Sequence, residues 1–68
     1  MKRREVVRKL ARAGFVAKEG ANHTRMIHAD GRWTVIGRHA EIPTGTVRAI
    51  ERQTGVKLRH RERIDDAP

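Results

Sequence analysis

The chain has 68 residues and no cysteine, so it forms one small domain with no disulfide framework and no thiolate metal site. Sixteen lysines and arginines against eight acidic residues leave a net charge of +8. No apolar run approaches the ~20 residues of a membrane span, and the charged N-terminus lacks the apolar stretch of a secretory signal, so a soluble, cytoplasmic protein with no membrane association is expected.

The core has to be assembled from Val6, Val7, Leu10, Phe15, Val16, Met26, Ile27, Trp33, Val35, Ile36, Ile42, Val47 and Ile50. That suffices for a two-layer core and excludes a deep pocket for a large cofactor, so none is expected. Twelve of the sixteen basic residues are arginine, whose planar fork matches a pair of phosphate oxygens. A folded surface of that bias points to a polyanion, with a merely solvated basic surface as the alternative.

In chain order, residues 2–13 carry Val6, Val7, Leu10 and Ala11 at helical spacing with basic residues between them. Gly14 follows as a left-handed helix end, and residues 15–18 read as a short strand. Residues 19–22, Glu-Gly-Ala-Asn, form a turn. The stretch 23–28 reads as a second strand, with Thr24, Met26 and His28 on one face and His23, Arg25 and Ile27 on the other. Because Met26 belongs in the core, His23 and Arg25 are expected on the accessible side. An Asp30-Gly31 turn leads to a third strand over residues 33–36. A loop over residues 37–41 precedes a second helix, for which Thr44 is the expected N-cap, Ile42 the apolar staple and Gly55 the terminator.

The expected fold is therefore α+β, in the order α-β-β-β-α: a three-stranded antiparallel sheet with two helices packed on one face. Residues 1–56 form the domain, and residues 57–68 read as a C-terminal tail. Edge strands of so short a sheet invite contact with a partner.

Among the four histidines, His23 carries the chemical expectation. An imidazole titrates near neutrality and can take the proton of an RNA 2′-OH or return one to a departing oxygen. Arg25, two residues on, is placed to offset charge on the phosphorus centre. His28 is expected to be structural, His39 to contact phosphate or a partner, and His60 to be solvated. A zinc site is not expected, since His23 and His28 fall on opposite strand faces without a third ligand. No serine is present, which removes serine nucleophiles.

The chain also resembles the HicA family of bacterial toxins. The resemblance rests on Gly14-Phe15, on Gly20-Ala21-Asn22-His23 with Met26, and on His28-Ala29-Asp30. Its most specific part is the block from Arg38 to Ile50, close to an H-x-E-I-P-x-G-T-x-R-x-I pattern, followed by Gln53-Thr54-Gly55. The similarity covers about residues 3–55. It implies a fold like that of double-stranded-RNA-binding domains (dsRBD-like) and an mRNA interferase activity resting on one histidine, here His23. It further implies neutralisation by a HicB-like antitoxin that covers the active site. The chain departs from the family in carrying Ala21-Asn22 where many members have a serine before the histidine, and in the bulk of Trp33.

The combined expectation is the toxin of a type II toxin–antitoxin system, a metal-independent endoribonuclease acting on mRNA through His23 and Arg25. Lys2, Arg3, Arg4, Lys18, Asn22, Arg38, His39 and Arg48 are expected to contact the RNA, and Arg48 has an ion-pair role as its alternative. Trp33 counts as a core or partner residue, or as a platform for a base. Two rival readings stand beside this one: a double-stranded-RNA-binding-like module without chemistry, and a basic protein–protein adaptor.

Overall fold

The computed structural model describes residues 1–59. Helix α1 spans Arg3–Arg12, strands β1, β2 and β3 span Phe15–Glu19, His23–His28 and Trp33–Gly37, and helix α2 spans Thr44–Thr54. The strands form one antiparallel sheet in the order β1-β2-β3. The expected order of elements and the two-helix, open-sheet α+β architecture are both observed.

Each boundary has a local cause. Helix α1 ends at Gly14, whose φ of 100° only a residue without a side chain adopts readily. A Cβ there would also stand 3.0 Å from Nε2 of His28. The β2–β3 hairpin turns on Gly31, and the Asp30 carboxylate fixes it by accepting from the Arg32 backbone N–H at 3.0 Å and from Arg32 Nε at 2.8 Å. Helix α2 is capped one residue earlier than expected: Pro43, with extended backbone, is the N-cap, and Thr44 is already helical. Ile42 then falls at N′ and Val47 at N4, the positions of an apolar staple, and both are buried. Gly55 closes the helix in the left-handed region, and its N–H donates to the Glu51 carbonyl at 2.8 Å.

Strand alternation sorts the side chains. Phe15, Thr24, Met26, Thr34 and Ile36 turn toward the helices, where they meet Val6, Leu10, Val47 and Ile50. Both helices lie on that face. Val16, Trp33 and Val35, counted on composition as core, stand on the other face and are exposed. Among the described residues the sheet is covered on one side only, so apolar residues of outward parity find nothing there to bury against.

The core reaches further along the chain than residue 56. Leu58 is fully buried among the core residues. The Glu51 carboxylate accepts from the backbone N–H groups of Leu58 at 2.8 Å and Arg59 at 3.0 Å, and pairs with the Arg59 guanidinium. Residues 60–68, including His60 and most of the expected tail, lie outside the described residues. No helix among the described residues is long and apolar enough to cross a membrane.

Candidate functional site

The strand register arranges the uncovered face of the sheet in three rows. Val16, Ile27 and Trp33 are cross-strand neighbours at one end, and Lys18, Arg25 and Val35 are neighbours in the middle. His23 opens the third row, opposite Gly37, with the Gly20 turn on its other flank. An imidazole bordered by two glycines has open ground on both sides. None of these outward positions carries an acidic side chain.

His23 is held out by what happens at the next residue. Thr24 is fully buried; its Oγ1 donates to Glu19 Oε1 at 2.8 Å and accepts from Arg3 Nη2. Arg3 also donates through Nε to the Gly37 carbonyl at 2.9 Å, which ties the start of α1 to the strand ends beside His23. Arg38 braces the turn from the other side: its Nη2 donates to the Gly20 carbonyl at 2.6 Å and lies 3.0 Å from Glu19 Oε1. The Gly20 N–H closes the turn on the His23 carbonyl at 2.8 Å, an approach that a Cβ on Gly20 would crowd at 3.2 Å. Thr24 is thus pinned inward from both neighbouring elements, and strand alternation leaves His23 facing solvent.

The result is an open depression of about 520 Å³ whose lining includes Lys18, Asn22, His23, Arg25 and Val35, together with the Glu19 carboxylate that Thr24 and Arg38 engage. Four of the expected site residues, Lys18, Asn22, His23 and Arg25, therefore come together. Arg3 and Arg38 adjoin them, with guanidinium donors engaged in framing the turn. Lys2 and Arg4 are exposed on the first turn of α1 and border a separate depression with Glu5 and Arg8. They remain at the same end of the molecule, because the Arg3 N–H donates to the Ala40 carbonyl and Lys2 bridges to Glu41. His39 is exposed in that connecting loop. Arg48 is exposed on α2, in the helical layer and so across the sheet from His23.

His28 lies inward and half-buried, edge-on to the Phe15 ring at 5.0 Å, with Nδ1 accepting from the Asp30 N–H at 3.1 Å. Among the described residues no three His, Asp or Glu side chains come together as a metal-binding set.

Sequence reasoning missed Glu19 and Thr24 as positioning groups. The inward parity of Thr24 was visible beside Met26. Its link to Arg3, 21 residues away, was not.

The hydrogen bond from Thr24, followed by the charges of Arg38 and Arg3, holds the Glu19 carboxyl below the usual carboxylate range. A lowered folded-state pKa means that this clamp contributes fully above the unfolded value of about 4.3, and is lost as pH falls through the folded one. Protection of residues 20–23 against amide hydrogen exchange, relative to the intrinsic rate at each pH, is therefore expected to fall in acid as the Glu19 carboxyl takes up its proton in the wild type. In Glu19→Gln the protection should already be lower at neutral pH and should not fall further through that range; a protection profile like that of wild type would remove Glu19 from the positioning of His23.

Taken together, the fold and the face define a class: a small α+β domain in which the sheet surface opposite the two described helices presents a histidine beside cations. Residues 3–56 match the family model described as the HicA toxin of bacterial toxin–antitoxin systems, and the chain belongs to that family. No individually curated protein matches it significantly. Membership places the chain among the toxins of toxin–antitoxin pairs.

Proposed function

We propose that this toxin is a metal-independent endoribonuclease that cuts mRNA in the cytoplasm, with His23 as its single catalytic histidine. The observation that supports the reading best is the placement of His23: outward, flanked by glycines, and next to the Lys18–Arg25 row, in a depression whose one acidic lining residue, Glu19, is engaged by Thr24 and Arg38. His23 takes the proton of a ribose 2′-OH, and the 2′-oxygen attacks the adjacent phosphorus. The bond from phosphorus to the 5′-oxygen breaks, and that oxygen leaves with a proton from the protonated imidazole or from water. Arg25 is two residues from His23 on the same strand face, roughly 7 Å along the backbone; its guanidinium rests over the Trp33 ring at 5.8 Å and turns toward His23 to meet the non-bridging oxygens on which charge builds.

Lys18 and Asn22 hold the strand beside the scissile phosphate. Lys2, Arg4 and His39 extend the cationic track along the adjoining end, with Arg3 and Arg38 behind it. Arg48 contributes only to an RNA long enough to pass round to the helical layer. A HicB-like antitoxin neutralises the toxin by covering the open sheet face and His23 with it.

The test is product chemistry. Purified toxin incubated with RNA in excess chelator is expected to leave 2′,3′-cyclic phosphate and 5′-hydroxyl ends. Ends bearing a 5′-phosphate would contradict the mechanism. RNA bound but left intact would favour the module without chemistry, and RNA bound no better than by any cation of equal charge would favour the adaptor.

A further inference from the structure

We infer that Trp33 is a stacking platform for one unpaired nucleobase of the RNA, which sets where the strand lies relative to His23. The inference rests on the RNA-directed reading above and adds to it a base-contacting residue.

Trp33 is the single tryptophan of the chain, and 55% of its surface is exposed in a domain too small to waste large apolar groups. Its indole is not loose. The Arg25 guanidinium lies over the ring at 5.8 Å, and Ile27 and Val16 extend the same row across the sheet. A shallow depression bounded by Gly31, Arg32, Trp33, Val35 and Gln53 opens beside it. One cation, Arg25, therefore stands over the indole, while the Arg32 guanidinium donates to the Thr54 carbonyl and lies over the Phe15 ring. The nearby Asp30 carboxylate is neutralised by Arg32 at 2.8 Å. An exposed aromatic surface with a guanidinium over its ring matches an occupant with a π-face and a negatively charged backbone, which is the chemistry of single-stranded nucleic acid.

The spacing fits one continuous strand. Trp33 is paired with Ile27, four residues from His23 on β2, so the two side chains stand roughly 14 Å apart along the sheet. At about 3.4 Å per nucleotide in a stacked strand that is no more than about four nucleotides, and fewer in an extended one. Arg25 stands between them: its guanidinium lies over the indole, and its backbone is two residues from His23. A base seated on Trp33 therefore fixes which phosphate reaches the imidazole.

The tryptophan also reports on itself. Wild-type full-length protein is titrated with a short 2′-O-methyl oligoribonucleotide, which 2′-OH attack cannot cut, and with an abasic oligomer of the same length and charge. The base-bearing oligomer is expected to quench Trp33 emission and to bind about 5- to 150-fold more tightly, the range for one stacked base. Trp33→Ala is expected to remove that advantage, and Trp33→Phe to keep part of it. Equal affinities for the two oligomers with unchanged emission at saturation would overturn the inference, as would Trp33→Ala binding the base-bearing oligomer like wild type. In the latter case, a loss of antitoxin binding would assign Trp33 to the protein interface. Cleavage is not part of this readout, so a toxin that stacks a base but cuts nothing would refute the nuclease reading and leave this one standing.

Discussion

Replacing His23 by alanine is expected to lower the rate of RNA cleavage by about 10²–10⁴-fold, the usual contribution of one positioned acid–base group. The fold should survive. The imidazole is exposed and has no hydrogen-bond or ion-pair partner among the described residues, and the backbone around it is held by Thr24, Glu19, Arg3 and Arg38 rather than by the ring. RNA affinity should change little as well, since it comes mainly from phosphate contacts and falls with salt whatever residue stands at position 23. The rate is to be measured by single-turnover cleavage, with circular dichroism and binding controls on the same preparations. A variant that cuts at near the wild-type rate would move the chemistry to another group. One that neither folds nor binds would make His23 a structural residue.

The second large effect is expected far from the site. Leu58→Ala should destabilise the domain by about 2–5 kcal/mol, the cost of emptying a fully buried leucine site. A core in a domain of this size seldom supplies more than about 3–5 kcal/mol, so much of the variant should be unfolded at room temperature. Leu58 borders the same depression as Met1 and Val47, closing the core where the chain start meets α2. Arg59→Ala is the control: its pair with Glu51 is partly exposed and should be worth no more than about 1 kcal/mol. Urea unfolding of the two variants beside wild type decides the matter. A Leu58→Ala midpoint indistinguishable from that of Arg59→Ala would show that the domain does not depend on this residue.

Leu58 also marks where sequence reading stopped. Residues 57–68 have no helical or strand period, and a period is the main signal that a sequence offers for burial. Leu58 packs into the apolar core while a carboxylate on α2, 7 residues back, receives two backbone N–H groups, a fit through a non-periodic segment that leaves no pattern in the sequence. The strands were legible for the opposite reason. Alternation through 23–28 placed Met26 inward and His23 and Arg25 outward, as observed. The same alternation puts Val16, Trp33 and Val35 on the outward face, but hydrophobicity alone does not say which face of a sheet a helical layer covers. Arg3 and Arg38 show a further limit. Both are cations near the site, and only coordinates reveal that their donors reach Thr24, Gly37 and Gly20 and shape the turn.

The proposed toxicity depends on the His23 ring doing chemistry on RNA from an exposed, cationic sheet face. Growth of cells induced for the wild-type toxin, compared with cells induced for His23→Ala at matched protein levels, tests that claim most directly. Arrest with wild type, relieved by the single substitution, is the predicted result. Equal arrest by both proteins would contradict it.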